Sequence, residues 1–342
     1  MKNIKVLGID LAKNVFQLHG TDANGKCVLK KRLSREKLIE FMAQLPPCLV
    51  GIEACGGSHY WARTFIKMGH TVKMMAPQFV KPYIQSNKND KNDAAGINEA
   101  VTRPNMKFVP IKQIEQQDVL LVHRCRELAV KQKTALANQI RGLLLEYGII
   151  IPQGVKQIKH LPEILDDNKD KLTEKALTAF IGLHEQFKKY DDQVNGYDKE
   201  IARQANQDAR CKEIQRIKGI GPLTASAMVA TIGDASVFKN GREVSAWLGL
   251  VPKQHSSGNK IRLGGISKRG DRYLRTLLIH GGRTVVNGCD KKTDKLNVWV
   301  ANKKHRCGKN KAAVAVANKN ARIIWAILKT GEAYRHQDVE NM

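Results

Sequence analysis

Ile4-Lys5-Val6-Leu7-Gly8-Ile9-Asp10 is an apolar run that ends on a carboxylate, and Leu49-Val50-Gly51-Ile52-Glu53 ends the same way. Short aliphatic runs of this kind read as buried strands, and a charge is tolerated only where such a strand leaves the core. Residues 15–20 and 26–33 read as two more strands, with Asp22-Ala23-Asn24-Gly25 as the hairpin turn between them. Ser34 opens a helix to about Leu45, with Leu38, Phe41, Met42 and Leu45 on one face, and Pro46-Pro47 stops it. A helix over Ser58–Met68 follows strand 49–53, with Gly69 as its C-terminal cap, then strand Thr71–Met75. A polar loop over 77–92 leads into a helix beginning near Asp93. The order β-β-β-α-β-α-β-α predicts an α/β domain with a mixed sheet, three antiparallel strands followed by parallel ones.

The rest of the chain reads differently. From Ile114 to Tyr147 there is no proline and one glycine, Gly142. Leu121, Leu128 and Ala135 recur every seven residues, and Leu136, Ile140, Leu143 and Tyr147 continue at helical spacing. A second helical stretch runs from about Thr173 to Asp208, with Leu177, Ile181, His184, Phe187, Asp191, Val194 and Ile201 on one stripe. The pair predicts a helical hairpin or coiled coil, with His184 as a filler of the stripe. Beyond Arg210 the composition shifts to glycine and cations, with helices at 242–249, 270–286 and 311–330. The expected layout is an α/β domain over 1–110, a helical coiled-coil or dimerisation region over 111–209, a mainly helical domain over 210–331 and a polar tail over 332–342.

Charge narrows the function. The 342 residues carry 58 Lys and Arg against 32 Asp and Glu, a net charge of +26. Residues 1–110 contribute +9, residues 111–209 nothing, and residues 210–342 contribute +17. So concentrated a cationic third repels itself unless a polyanion is its partner, which points to nucleic acid. Seven scattered cysteines form no C-x-x-C pair, which argues against a zinc ribbon and for free thiols in a reducing cytosol. No secretory signal and no membrane span is legible, so a soluble, cytoplasmic protein without a membrane partner is expected.

Against that charge the acids stand out. Asp10 and Glu53 end strands, and Asp90 and Asp93 sit in Asn89-Asp90-Lys91-Asn92-Asp93-Ala94 at the start of a helix. Taken singly, Asp93 is a helix N-cap, Asp90 a loop residue and Glu53 a surface acid. Taken together, four carboxylates converging from two strand ends and one helix turn suit a hard divalent cation for phosphoryl transfer, Mg2+ with Mn2+ as an alternative.

Two cationic elements accompany them. Lys218-Gly219-Ile220-Gly221-Pro222 has the form of a helix-hairpin-helix turn, whose amides and Lys218 can meet a phosphate without reading sequence. Further on, His255-Ser256-Ser257-Gly258 is followed by Lys260, Arg262, Lys268 and Arg269. One reading is a loop that positions a nucleic-acid backbone. The other is a nucleophilic serine activated by a base such as His255. The residues alone favour the backbone-positioning loop.

At this point the chain resembles the DEDD-type transposases of the insertion sequence 110 family. The resemblance rests on Gly8-Ile9-Asp10-Leu11-Ala12-Lys13, Gly51-Ile52-Glu53-Ala54-Cys55-Gly56 and Asn89-Asp90-Lys91-Asn92-Asp93-Ala94. It continues through Ile217–Thr224, Trp247–Pro252, Ser257-Gly258 and Ile266–Gly270, and spans roughly residues 4–330. It implies a RuvC-like RNase H-fold N-terminal domain, a coiled-coil middle and a C-terminal transposase domain. It further implies that Asp10, Glu53, Asp90 and Asp93 hold magnesium, and that Ser257, immediately before Gly258, attacks DNA and stays covalently attached, with Ser256 as the neighbouring candidate. Implied partners are donor and target DNA, a structured guide (bridge) RNA from the element, and further copies of the chain as a dimer or tetramer. The serine and the acids, about 200 residues apart in sequence, would meet by folding or across protomers. The competing readings are a water-using, Holliday-junction-type endonuclease with the same acids, and a non-catalytic nucleic-acid-binding protein.

Overall fold

Strand β1 (Val6–Asp10) organises the first of two compact units, which divide after Ile114 in a computed structural model describing residues 3–84, 89–258 and 260–334. It pairs antiparallel with β2 (Val15–Thr21), which pairs antiparallel with β3 (Cys27–Ser34). After α1 (Arg35–Gln44), β4 (Leu49–Glu53) returns parallel to β1, with Ile9 beside Ile52. After α2 (Ser58–Lys67), β5 (Thr71–Met75) runs parallel to β4. The short α3 (Pro77–Val80), α4 (Asp90–Val101) and β6 (Phe108–Val109), antiparallel to β5, complete a sheet in the order β3-β2-β1-β4-β5-β6. The mixed sheet follows the expectation. The two-residue β6 was not foreseen, because so short a strand shows no periodicity.

Two details of α4 differ from the sequence reading. The helix begins at Asp90, not near Asp93, because the Asn89 side chain accepts a hydrogen bond from the Asn92 amide at 2.9 Å and acts as the cap. Part of the expected 77–92 loop is helical: Pro77 starts α3, and a further turn covers Lys81–Tyr83. Residues 85–88 of that loop, and 335–342 of the expected tail, lie outside the described residues.

The second unit, from Glu115, holds both the long helices and the cationic C-terminal region. Helix α5 (Ile114–Leu145) is followed by the short α6 (Leu161–Asp166) and then by α7 (Glu174–Gln207), capped by Thr173. Arg126 pairs with Asp198 and Lys133 with Asp191, each at 2.6 Å, so α5 and α7 run antiparallel. Leu136, Ile140 and Leu144 share a core with Phe180 and Phe187. The heptad residues Leu121 and Leu128 do not join it. They are 61% and 56% exposed, because the inward face of α5 carries His123, Ala129 and Leu136 instead. His184 is buried within the α7 stripe as expected.

Helices α8 (Ala209–Gln215), α9 (Pro222–Ile232) and α10 (Gly241–Trp247) lead to a hairpin of β7 (Pro252–Gln254) and β8 (Leu263–Ile266). Helices α11 (Arg272–Gly288), α12 (Lys295–Cys307) and α13 (Lys309–Thr330) close the unit. Sequence periodicity missed α12, which buries only Asn297 and Val300 and so carries little apolar signal. Buried His123 on α5 joins Tyr273 at 2.9 Å and Ser226 at 3.2 Å. Burial, reinforced by the charges of Arg126 and Arg124, holds its pKa down to about 4. All seven cysteines are free thiols, and among the described residues no helix is long and apolar enough to cross a membrane.

Candidate active site

The acidic site depends on how closely α4 can approach the sheet. A side chain at Gly8 would put its Cβ 2.5 Å from the Asn98 amide and against the Ala94 carbonyl, and one at Gly51 would put it 2.8 Å from Val101 Cβ. Only glycine lets the helix lie this close over β1 and β4. Asn98, buried on the inner face of α4, then fixes it. Its amide nitrogen donates to the Val6 and His19 carbonyls, each at 3.0 Å, and its oxygen accepts from the Thr21 hydroxyl at 3.1 Å. Two strands and the helix are tied through one side chain. Sequence reasoning did not single out Asn98, although an amide between Ile97 and Ala100 on a helix's apolar face was a signal.

This docking carries the first turn of α4 to the end of β1. One carboxylate oxygen each of Asp10, Asp90 and Asp93 lie within 4.8 Å of one another. Oxygens around one octahedral Mg2+ at about 2.1 Å lie about 3.0 Å apart when adjacent and about 4.2 Å when opposite, so small rotations suffice to close the set. Asp93 Oδ1 is buried and, among the described residues, has no hydrogen-bond partner. A buried carboxylate oxygen without a donor, beside two further carboxylates, is costly unless a cation satisfies it. The α4 N-terminus, with Asp90 and Asp93 in its first turn, offsets part of the repulsion. The donor set fits a hard divalent ion.

Glu53 is the fourth predicted acid. It ends β4, one residue beyond Ile52, which sits beside Ile9. It therefore lies at the same end of the sheet as Asp10, but the close cluster consists of the three aspartates. Cys55 senses both strand-end acids: partial burial raises its pKa, and the charges of Glu53 and Asp10 raise it further.

The serine segment is built in the opposite manner. At its base, Arg275 on α11 is 9% exposed and donates to the carbonyls of Leu248 and Arg269, both at 3.1 Å. The Ser267 amide donates to the Val251 carbonyl at 2.8 Å, and Lys268 to Gly249 at 3.2 Å. Lys268 holds φ at +55°, a conformation non-glycine residues adopt at a cost of about 1–2 kcal/mol, so the clamp carries strain. Sequence reasoning missed Arg275, a charge on the α11 face it shares with Leu274 and Leu278.

Toward the tip the two serines diverge. The Ser256 hydroxyl accepts from the Gln254 side chain at 3.0 Å and from the Arg262 amide at 3.3 Å, so it is committed to the hairpin. Ser257 is exposed, and its hydroxyl has no hydrogen bond among the described residues, His255 included. Gly258 beside it has φ +55°, with nothing within 4 Å of where a Cβ would stand. Lys260, Arg262, Lys268 and Arg269 are all exposed around this tip and below it.

The glycine turn serves packing as well as any ligand. A Cβ on Gly219 would meet the Gly281 carbonyl of α11 at 2.6 Å, so that residue faces inward. Lys218 pairs with Asp294 at 2.8 Å. Only Gly221, at the N-terminus of α9, opens to free space.

Residues 7–149 match the DEDD transposase family model of insertion sequence IS110, and residues 211–296 match the family described as Transposase IS116/IS110/IS902. The chain is similar to a probable family 20 transposase of Pseudomonas aeruginosa, 45% identical over 335 residues that cover 97% of this chain and 99% of that one. It is 46% identical over 336 residues to the transposase for insertion sequence element IS1111A of Coxiella burnetii, covering 98% and 92%. To the transposase for IS1328 of Yersinia enterocolitica it is 37% identical over 334 residues, covering 98% and 99%.

Proposed function

Since this chain belongs to the IS116/IS110/IS902 family of transposases, enzymes that act on DNA, we propose that it cuts and rejoins DNA strands through a covalent ester at Ser257, with a divalent cation held by Asp10, Asp90 and Asp93 and assisted by Glu53. The observation that carries the metal-dependent reading is the aspartate triad with its unsatisfied Asp93 oxygen. The sheet order β3-β2-β1-β4-β5, antiparallel in its first half and parallel in its second, supports assigning the first unit to the RuvC-like RNase H fold.

In this mechanism Ser257 Oγ attacks the scissile phosphorus. A serine–phosphate ester forms as the phosphorus–oxygen bond to the departing strand breaks, and the departing oxygen takes up a proton equivalent to the one the serine releases. Attack by another strand's hydroxyl reverses the step, so ends are exchanged without hydrolysis and without ATP. The cation, Mg2+ or Mn2+, supplies electrostatic stabilisation of the charge that builds on the phosphate. The aspartates hold it, and Asn98 with Gly8 keeps α4, and so Asp90 and Asp93, in register with Asp10. Ser256, already engaged at both sides, supports Ser257 as the nucleophile. Arg262, Lys260, Lys268 and Arg269 would neutralise the DNA backbone, with the turn at Gly221, at the N-terminus of α9, a second contact.

The exposed heptad pair Leu121 and Leu128 supports association with a second copy along α5, as a dimer or within a tetramer. On this reading the serine and the acids of one catalytic centre come from different protomers, and an RNA encoded by the element selects donor and target DNA.

Incubation with Mg2+, the element-encoded RNA and DNA carrying the element's ends, followed by a denaturing gel, tests this. A protein–DNA band lost in both Ser257→Ala and Asp10→Ala is the expected result. One observation favours a second reading: the acid cluster is complete without any residue of the second unit. A water-using endonuclease would cut equally well as Ser257→Ala and leave no adduct.

A further inference from the structure

The second unit contains a cleft of about 740 Å³, lined by residues of α10, α12 and α13, that the chemistry above does not use. Its size is that of a ligand pocket. Arg242, Lys295, Lys319 and Arg322 line it, all exposed, and none is in an ion pair among the described residues. The cleft's acid, Asp294, is neutralised by Lys218 at 2.8 Å. Burial works against its ionisation, yet hydrogen bonds from Lys218 and Asn297 hold its pKa down to about 2.

Two of the chain's four tryptophans line the same cleft. Trp325 is oriented by its indole N–H, which donates to the Ala235 carbonyl at 3.1 Å. Trp299 is half-buried, with Lys319 at 5.3 Å and Lys303 at 5.9 Å from its ring centre. Half-buried tryptophan flanked by unpaired cations is poor surface design for solubility. It is the composition that holds a strand of nucleic acid whose bases are free to stack.

We propose that this cleft binds an unpaired nucleotide within a single-stranded nucleic-acid segment, its base against Trp299 and its phosphates on Arg242, Lys319 and Arg322. A duplex keeps its bases stacked on one another and cannot offer one to the indole, so the cleft selects for single strand. This goes beyond the catalytic reading: it rests on the family's action on DNA, and not on the serine or the metal. The strand is DNA freed during cleavage or an RNA, which share this chemistry.

The test uses full-length protein in EDTA and labelled oligonucleotides of about 12 nucleotides, as single-stranded DNA, single-stranded RNA and duplex DNA, read by fluorescence anisotropy. Trp299→Ala should weaken single-strand binding by about tenfold while duplex binding changes less than about twofold, and Trp299→Phe should retain most of the affinity. Lys319→Ala and Arg322→Ala should each lower the slope of log affinity against log salt by about one for single strands. Whichever single strand loses more affinity in Trp299→Ala is the occupant. Equal losses on duplex and single strand, no loss at all, or a Trp299→Phe variant as weak as alanine would overturn the proposal. A fold defect is recognised by a lowered melting temperature, in which case the two cation variants decide. Absence of a serine–DNA adduct together with Trp299-dependent binding would refute the catalytic reading alone, and an adduct without that dependence would refute this one alone.

Discussion

The acidic cluster and the serine hairpin are built to opposite specifications. Asp90 and Asp93 ride on a helix locked to the sheet by glycine-to-backbone contact and by the three buried hydrogen bonds of Asn98. Ser257 stands on a tip whose base is clamped by Arg275 but whose neighbour Gly258 has, among the described residues, open space where a Cβ would stand. Metal ligands must hold their geometry to fractions of an ångström, so they are placed on regular elements with little freedom. A nucleophile that must reach a bulky, bent substrate gains from an accessible, adjustable loop. On the proposed reading, rigidity in the chain is allocated by chemical role.

The contrast can be broken in several ways, and the largest effect is expected at Gly8. Gly8→Val forces α4 off the sheet and should cost more than about 3 kcal/mol, seen as a large fall in melting temperature with loss of divalent-ion stabilisation. Tolerance of valine would mean the helix is not packed as described. Next comes Asn98→Leu, which removes the side-chain donor to the Val6 and His19 carbonyls and the acceptor of the Thr21 hydroxyl. A loss of about 2–4 kcal/mol in denaturant unfolding is expected, with Mg2+ affinity falling alongside it.

Acid sharpens the comparison within the second unit. Buried His123 has a pKa of about 4, below the ordinary value of 6.5. The unfolded chain therefore binds the proton first, and stability falls as pH drops from about 6.5 to about 4, by up to roughly 3 kcal/mol for this group. Melting curves across that window should show the loss, and His123→Gln should flatten it; an unchanged profile would show that the imidazole is not held neutral. The smallest effects belong to the tip. Gly258→Ala should cost no more than about 1–2 kcal/mol, from its positive φ alone, and Ser257→Ala should leave the melting temperature within error. A large destabilisation by either would mean the tip is packed after all.

Much of the first unit was legible before folding was considered, because strands β4 and β5 and the hairpin before them carry dense local signals: aliphatic runs, an Asp22–Gly25 turn, a proline stop. The long helices were legible from their 3.6-residue pattern, and their ends fell near Thr173 and Asp208. Local pattern failed where burial depends on a distant partner. Leu121 and Leu128 fit a heptad yet face outward, and α12 was invisible because its partner surface is small.

The same division holds for the site. The acids at positions 10, 53, 90 and 93 stand out in the sequence alone, as carboxylates that close apolar runs or open a helix, whereas Ser257 was singled out only by the family resemblance. Only the tertiary structure separated three converging aspartates from a flanking Glu53, tied the Ser256 hydroxyl into the hairpin while leaving the Ser257 hydroxyl without a hydrogen bond among the described residues, and turned Gly219 inward against α11. Those distinctions rest on which atoms meet across long stretches of chain. Such meetings are set by close packing between elements, a property that no window of neighbouring residues contains.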